Sequence, residues 1–539
     1  MSTLEMTSEK PVRATVSGGR VTIAEALPSD RLAVLTDSGW EVTDASHLDR
    51  DGLLESLRSS VAIVVRSATT VDAELLDAAP NLQVIGRAGV GVDNIDIAEA
   101  TRRGIIVVNA PSANVISAAE HTIGLMLAVC RHTAQAHRSL AEGRWDRSKY
   151  TGIELEGKTL GVIGLGRIGR EVAHRAQAFG MVVVAHDPYL AANGAPDGVQ
   201  TMTLDMLART SDVITLHVAK TAETAGLVNK EFIADMKPGA RILNVARGGL
   251  IDEAALLAAI DDGHLGGAGI DVFENEPVTE SRLFDHPKVV VTPHLGASTR
   301  EAQDRAARIV AEQVATALTG QIPTYAINLD AVAVPESTRP FLAVGRKLGC
   351  LLGSFATSDA PTSIEIELHG DIARYESSGL VLEVQRGVAS GLESRDVSLV
   401  EAPSILATQK ISTTTVSQPD AANHPGALSA KFGERSATMT ISQSLGDIRL
   451  IEVDGHRISV PVAENLLLIK NENRPGVIAA VAVGLADAGI NISDMAVGLT
   501  TVGDVAVMAV ATDLPVPDDV QARLAESAGL LSLDRICIR

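Results

Sequence analysis

Three side chains that could move a proton and hold an anion follow predicted β-strands in the middle of the chain. Arg247, Glu276 and His294 each come shortly after an apolar run that is typical of a buried strand. The carboxyl ends of parallel strands meet at one edge of a sheet, so we expect the three side chains to lie close together.

The chemistry that this set predicts is proton transfer beside a bound anion. The imidazole of His294 can act as a base, because histidine has an ordinary pKa of about 6.5. Glu276 could hold that ring in position, and the planar guanidinium of Arg247 could bind a carboxylate through two hydrogen bonds. Taken singly, each residue has an alternative interpretation: His294 as a turn residue, Glu276 as a surface acid and Arg247 as an ion-pair partner.

A glycine-rich turn between two predicted strands supplies a second site. In Gly164-Leu165-Gly166-Arg167-Ile168-Gly169, the first glycine permits a tight turn, the second lets the backbone approach a pyrophosphate, and the third lets the following helix lie close to the strand. The amino end of that helix favours phosphate groups. The pattern predicts a dinucleotide-binding unit, and a base, an anion clamp and a hydride acceptor together suit the oxidation of a 2-hydroxy acid.

The helix after the glycines and the next strand complete this unit. Val172, Ala176 and Phe179 recur at helical spacing and are predicted to face the sheet, and Gly180 is predicted to end the helix in a left-handed conformation. Asp187 lies about 20 residues beyond the glycines, where an acid binds the ribose 2′-hydroxyl. A carboxylate there would repel a 2′-phosphate, so the sequence predicts NAD in preference to NADP.

The composition restricts the class of protein. The 539 residues predict about three or four domains. A net charge of -21 argues against nucleic acid or an anionic membrane as a partner, and no apolar run is long enough for a membrane span. The three cysteines are predicted to be buried thiols in a reducing compartment, which indicates the cytoplasm. Residues 1–20 are predicted to form a disordered tail, and no metal site is predicted.

The chain before the glycine turn alternates strands with helices, as parallel βαβ units do. Three of its predicted strands end in Arg66-Ser67, in Arg87 and its glycine-rich turn, and in the run up to Asn114, so these turns point to one crevice. Two arginines at equivalent places favour an anion site. Residues 114–142 are predicted to form one long helix, on which His121, His132 and His137 are interpreted as structural or solvated.

After residue 330 the regular alternation of strands and helices ends. No catalytic motif is found in 330–460, which mixes helices with polar strands. From residue 465 the order is strand, helix, strand, strand, helix, strand, which predicts a ferredoxin-like module. The predicted fold is therefore α/β, with two Rossmann-like doubly wound parallel-sheet domains, then an α+β intervening domain and a βαββαβ module.

The motifs that carry a family resemblance are spread over most of the chain. They are Arg66, the run 87–94, the glycine turn 164–169, Ala246-Arg247-Gly248-Gly249, Asp271-Val272-Phe273 with Glu276-Pro277, and the run 293–299. In this order they closely resemble the D-3-phosphoglycerate dehydrogenase family, a branch of the D-2-hydroxyacid dehydrogenases, in its long form with an intervening domain and a C-terminal ACT domain. The resemblance implies a substrate-binding domain (21–112 and 300–328), an NAD-binding domain (113–299), an intervening regulatory domain (330–460) and an ACT domain (462–539).

The resemblance also implies roles for individual residues. It implies oxidation of 3-phospho-D-glycerate to 3-phosphohydroxypyruvate with NAD, the first step of L-serine biosynthesis, by His294 as acid and base, Glu276 as its partner and Arg247 as the substrate clamp. The substrate pocket would be lined by Arg66, Ser67, Arg87 and Asn114, while Arg147, with Lys149, would reach a neighbouring subunit of a homotetramer. The cofactor contacts would come from Val90, Gly164, Gly166, Arg167, Ile168, Gly169, Asp187, Val245, Ala246, Asp271, Gly296 and Ala297.

The ACT domain of this family implies feedback by L-serine. Asn473 and Asn491 match the family's effector loop and following strand, whereas Asn471 replaces the usual His or Tyr. Two other functions stay open: an NAD-dependent glyoxylate or hydroxypyruvate reductase, and a non-catalytic NAD-sensing protein. The first leaves the basic pocket and the C-terminal domains without a role.

Overall fold

The computed structural model describes residues 18–190, 194–330, 335–355, 361–420, 426–442, 444–499 and 505–538. Most of the predicted tail, residues 1–17, therefore lies outside the described residues. The described chain forms four β-sheets, and each sheet is built from a separate stretch of the sequence. Within the described ranges, none of the helices combines the length and apolar character needed to cross a membrane.

The first sheet has five parallel strands in the order β2-β1-β3-β4-β5. Its central strand is buried along its whole length, which explains the continuous apolar run that predicted it. The strands are β1 (Arg20–Ile23), β2 (Glu41–Asp44), β3 (Ser60–Val65), β4 (Val84–Arg87) and β5 (Ile106–Val108), and the helices are α1 (Ala33–Asp37), α2 (Arg50–Ser56), α3 (Ala73–Ala78) and α4 (Ile97–Arg102), with short 3₁₀ turns at Ser29–Leu32 and Leu57–Ser59.

The second sheet has seven parallel strands in the order β12-β11-β10-β9-β6-β7-β8. This is the doubly wound order of dinucleotide-binding folds with one strand added. Successive strands are added to one side of β6 and then, from β9 onward, to its other side, so the strand order reverses between β6 and β9. The strands are β6 (Thr159–Ile163), β7 (Val182–His186), β8 (Val199–Thr201), β9 (Val213–Leu216), β10 (Arg241–Asn244), β11 (Gly267–Ile270) and β12 (Val289–Val291). The helices are α5 (Val115–Arg131), α6 (Thr133–Ala141), α7 (Arg167–Ala178), α8 (Leu204–Thr210), α9 (Lys230–Asp235), α10 (Glu253–Asp261) and α11 (Arg300–Leu318), with a 3₁₀ turn at Arg147–Tyr150.

The last of these helices leaves the second sheet and packs on the first. A Cβ atom on Gly86 of β4 would lie 2.7 Å from side-chain atoms of both Val310 and Val314, so α11 approaches β4 closely. Thr299 caps α11 by accepting a hydrogen bond from the N–H of Ala302 at 3.1 Å. The chain therefore crosses twice between the two sheets, and the crevice between them is bounded by α11.

Two sequence predictions in this half are wrong, and two strands were missed. The single helix 114–142 is two helices, separated by His132 in the left-handed region at φ 55°. The break follows from a tertiary contact, because the carbonyl of Cys130 accepts the N–H of Ile153 at 3.0 Å. Phe179 is 43% exposed because it follows the last turn of α7, whereas Val172 and Ala176 are buried. Strands β2 and β8 were not predicted, since as edge strands they lack a buried apolar run.

The third sheet is mixed, with the order β14-β13-β15-β16-β17-β18, and only β13 and β14 are parallel. Two of its helices, α12 and α13, pack closely because glycines face each other at Gly349 and Gly387. The elements are α12 (Phe341–Gly353), β13 (Ser363–Gly370), a 3₁₀ turn (Asp371–Arg374), α13 (Ser378–Glu393), α14 (Glu401–Thr408), β14 (Ser412–Gln418), β15 (Gly426–Phe432), β16 (Arg435–Ile441), β17 (Ile448–Val453) and β18 (His456–Pro461).

The fourth sheet is antiparallel, with the order β20-β21-β19-β22, and has the predicted βαββαβ sequence of elements. One hydrophobic core runs from the third sheet into the fourth and includes Leu466 and Ile536. Cys130 and Cys350 are buried as predicted, but Cys537 is exposed, because it alternates along its strand with the inward-facing Ile536. The elements are β19 (Asn465–Glu472), α15 (Val477–Asp487), β20 (Ile492–Leu499), β21 (Val505–Thr512), α16 (Asp518–Ala525) and β22 (Leu530–Cys537).

Candidate active site

A cavity of about 650 Å³ lies between the carboxyl edges of the first and second sheets. Residues from both sheets and from α11 line it, as expected for a ligand site of open α/β sheets. It brings together the following residues that the sequence had predicted for catalysis, substrate or cofactor: Arg66, Ser67, Arg87, Val90, Asn114, Arg247, Glu276, His294 and Ala297.

The His294 ring lies directly against the Glu276 carboxylate. Nδ1 of His294 is 2.6 Å from Oε2 of Glu276, and the other carboxylate oxygen accepts the N–H of Phe273 at 2.9 Å. A carboxylate only accepts hydrogen bonds, so in the neutral form of the ring Nδ1 carries the proton and Nε2 has the lone pair. This tautomer makes Nε2 the basic atom of the ring.

The backbone at His294 is held in an unusual conformation by a buried acid. His294 has φ 55°, in the left-handed region that is costly for residues with a side chain. The main-chain carbonyl of Asp271 accepts the N–H of His294 at 2.8 Å, and its carboxylate accepts the N–H groups of Leu295 and Gly296 at 2.7 and 2.9 Å. Asp271 thus holds three consecutive N–H groups of the loop that carries the histidine.

Asp271 is fully buried and has two further partners. Thr292 Oγ1 donates to Oδ1 of Asp271 at 2.6 Å, and Nε2 of His121 contacts the same oxygen at 3.2 Å. Burial by itself would raise the pKa of Asp271, but the hydrogen bonds from His121, Thr292 and Leu295 outweigh it and hold that pKa below its ordinary value. The carboxylate is therefore charged at neutral pH. His121 is interpreted from the sequence as structural or solvated, and it contacts the acid that holds the loop carrying His294.

The side chain of Arg247 reaches across the crevice to the turn that follows β4 of the first sheet. Its guanidinium lies against the backbone of Gly91, where a Cβ atom would collide with it, and its Nε is 3.4 Å from Asp93. The turn that carries Arg247 is held by Asn244, which donates to the Arg247 carbonyl at 2.8 Å and accepts the N–H of Ala246 at 3.0 Å. Neither Asn244 nor Thr292 was predicted from the sequence, although each is a polar residue in or directly after an apolar strand.

The cavity is rich in positive charge. Arg66, Arg87 and Arg247 all line it. Burial, followed by the charge of Arg247, lowers the pKa of Arg87 from its ordinary value. Among the described residues, Nε of Arg87 and Oδ1 of Asn114 are buried without a hydrogen-bond partner. The arrangement suits a small ligand that carries more than one negative charge.

The glycine turn has the geometry that the dinucleotide motif requires. Gly164 has φ 90°, and a Cβ atom on Gly169 would overlap the carbonyl oxygen of Gly164, so α7 can start against β6 only with glycine there. A Cβ atom on Gly166, the N-cap of α7, would meet open space. The first N–H groups of α7, at Arg167 and Ile168, therefore face room for a phosphate.

The predicted ribose ligand Asp187 directly follows β7, beside this turn. Its Oδ2 accepts the N–H of Leu165 at 2.9 Å and its Oδ1 accepts the N–H of Tyr189 at 3.0 Å. The acid thus also holds the glycine turn. Of the other predicted cofactor contacts, Val245, Asp271 and Gly296 converge, because a Cβ atom on Gly296 would lie 3.0 Å from Val245 and 3.3 Å from Asp271.

The predicted intersubunit residue Arg147 and the three predicted effector residues do not line the cavity. Arg147 is exposed in its 3₁₀ turn and does not line the cavity of its own chain. Asn473, directly after β19, and Asn491, directly before β20, are exposed. Asn471 is buried on β19 and donates to the Glu472 carbonyl at 2.8 Å. Within the described ranges, Oδ1 of Asn471 has no hydrogen-bond partner.

Comparison with known proteins agrees with this architecture. Residues 123–296 match the family described as D-isomer specific 2-hydroxyacid dehydrogenase, NAD binding domain, and residues 465–529 match the ACT domain. A crystal structure of a protein from Thermus thermophilus is 37% identical with a TM-score of 0.52, and covers 57% of this chain and 99% of its own. A glyoxylate reductase structure from Paecilomyes thermophila is 31% identical with a TM-score of 0.53, and covers 58% of this chain and 99% of its own.

Two curated relatives extend the match to nearly the whole chain. The D-3-phosphoglycerate dehydrogenase of Mycobacterium bovis is 42% identical over 520 residues, which is 95% of this chain and 98% of the relative. That of Bacillus subtilis is 38% identical over 525 residues, which is 96% of this chain and 99% of the relative. The protein therefore belongs to the D-3-phosphoglycerate dehydrogenase family.

Proposed function

We propose that the protein oxidises 3-phospho-D-glycerate to 3-phosphohydroxypyruvate with NAD, the first step of L-serine biosynthesis. The observation that carries this proposal is the cavity that is lined both by the paired His294 and Glu276 and by three arginines. The substrate has a carboxylate, a hydroxyl group to be deprotonated and a phosphate, which are the groups that such a cavity accommodates. The family to which the chain belongs supports the same reaction.

The residues act on the substrate as follows. Nε2 of His294 takes the proton of the C2 hydroxyl group, while Glu276 stabilises the imidazolium that forms. Arg247 binds the carboxylate and polarises the forming carbonyl. NAD, when bound, accepts the hydride that leaves C2.

The cofactor would lie along the carboxyl edge of the second sheet. The amino end of α7 would hold the pyrophosphate, Asp187 the ribose, and the neighbourhood of Val245, Asp271 and Gly296 the nicotinamide end. On this proposal the second sheet and its helices bind NAD, and the first sheet with α11 binds the substrate. The domain built on the third sheet is proposed to be regulatory.

Regulation by L-serine is a separate part of the proposal, motivated by the ACT domain at 465–529. The unpaired Oδ1 of Asn471 could accept a hydrogen bond from a serine ammonium or hydroxyl group, with the exposed Asn473 and Asn491 as further polar groups of the same domain. A homotetramer is proposed from the family, with Arg147 of one subunit reaching the site of another. Initial rates across a serine titration, and light scattering for the subunit count, test these points.

The decisive experiment measures NADH formation by the purified protein with 3-phosphoglycerate and, as a matched control, with unphosphorylated glycerate. We expect a clear preference for the phosphorylated acid. Faster reduction of glyoxylate or hydroxypyruvate would favour a reductase instead. Tight NAD binding without turnover of any of these acids would favour a sensor.

A further inference from the structure

One acidic side chain outside the cavity holds the loop that carries two of its lining residues. Glu25 follows β1, and its carboxylate accepts the N–H groups of Arg66 at 2.9 Å, Ala68 at 3.3 Å and Thr69 at 2.9 Å. Hydrogen bonds to a charged acceptor are stronger than neutral ones, so three of them on four residues fix the path of this loop.

The carbonyl groups of the same loop are held from the other side. The Asn94 amide donates to the carbonyls of Arg66 at 2.9 Å and Thr69 at 2.6 Å. The loop joins β3 to α3 and cannot use sheet hydrogen bonds, so these two side chains take the place of a ladder. Arg66 and Ser67 line the cavity, but Glu25 does not, among the lining residues of the described chain.

We propose that Glu25 is a positioning residue for substrate binding: by anchoring the loop 66–69 it presents Arg66 and Ser67 to the anionic substrate. This inference rests on the proposed function, because it concerns the same cavity. Glu25 acts through the loop and not on the reacting atoms. Its loss should therefore weaken substrate binding and leave the hydride-transfer step and the NAD site unchanged.

The charge of Glu25 allows the positioning role to be separated from a simple field effect. A carboxylate near an anion site repels the anion, so neutralising it in Glu25→Gln would tighten substrate binding if only charge mattered. If the loop hydrogen bonds matter, Glu25→Gln weakens binding, because the amide has a single oxygen and its NH₂ group faces N–H donors. The two explanations predict opposite changes in KM.

The experiment compares wild type, Glu25→Gln, Glu25→Asp and Glu41→Gln in steady-state assays that vary 3-phosphoglycerate and NAD separately. Glu41 is a matched control, because it is an exposed acid on the edge strand of the same sheet and pairs with Arg20 at 3.2 Å. For Glu25→Gln we expect KM for 3-phosphoglycerate to rise about tenfold, equivalent to about 1.4 kcal/mol. We expect unchanged kcat and KM for NAD, partial recovery in Glu25→Asp, and no effect in Glu41→Gln.

A KM that stays at the wild-type value or falls in folded Glu25→Gln overturns the inference. A lower kcat with a rise in KM for both 3-phosphoglycerate and NAD, together with a lowered Tm in both Glu25 variants, also overturns it. Such a result indicates a purely structural role. Failure of the proposed function is seen separately, as a wild-type protein that does not oxidise 3-phosphoglycerate.

Discussion

The pair formed by His294 and Glu276 allows a quantitative test in the variant Glu276→Gln. In the wild type the carboxylate serves two donors, Nδ1 of His294 at 2.6 Å and the N–H of Phe273 at 2.9 Å. A glutamine has one carbonyl oxygen for these two donors, and it carries no charge to stabilise an imidazolium. The substitution keeps the size of the side chain, so a decrease in activity reports the effect of the lost charge and of the lost hydrogen-bond acceptor.

The size of the expected loss of activity follows from the distance between His294 and Glu276 and from the solvent exposure of their side chains. Two unit charges about 4 Å apart attract by about 1 kcal/mol in bulk water and by about 4 kcal/mol at an effective dielectric constant of about 20. The side chains of His294 and Glu276 are 48% and 34% exposed, so solvent screens part of this attraction. We therefore expect a loss of about 2 kcal/mol in the transition state, which lowers kcat about 30-fold.

The assay is NADH formation at saturating 3-phosphoglycerate and NAD, repeated with substrate deuterated at C2 to identify the rate-limiting step. Glu274→Gln is the control, because Glu274 is an exposed acid two residues away that does not line the cavity. An isotope effect with unchanged kcat in Glu276→Gln would refute the assignment of Glu276 as the partner of the base. A rise in KM for NAD alone would also contradict it.

Three further predictions concern the residues that shape the site. Asp271→Asn should lower the free energy of unfolding by about 3 kcal/mol at neutral pH. The pKa of Asp271 is lowered in the folded protein. The stabilisation by its carboxylate is therefore present above the ordinary aspartate pKa of about 3.9 and is lost as the pH falls through the folded-state pKa. The denaturation curves of variant and wild type should converge in acid. Gly169→Ala should cost about 1–3 kcal/mol of stability and weaken NAD binding, measured by titration calorimetry, because its Cβ overlaps the Gly164 carbonyl. Asp187→Ser should raise KM for NAD about tenfold and allow measurable turnover with NADP, since it removes both the proposed ribose ligand and the acceptor for the Leu165 N–H. Unchanged cofactor selectivity would contradict the proposed role.

The sequence alone was sufficient for the parts of this protein that depend on short-range patterns. The glycine turn and the strand ends that carry Arg247 and His294 are each encoded within a few residues. Since parallel strands end at a common edge, strand ends also placed the predicted catalytic residues in one crevice. The order of elements in the fourth sheet followed from the same periodicity.

Only the tertiary structure decided the features that join distant segments. The carbonyl at the break near His132 is bonded to Ile153, and Asp271, which holds the His294 loop, also contacts His121 of α5. Glu25 acts on a loop some forty residues further on. Local periodicity reports which face of an element is buried, but a buried polar group takes its partner from whatever segment the fold brings near, and that choice is made when the chain packs.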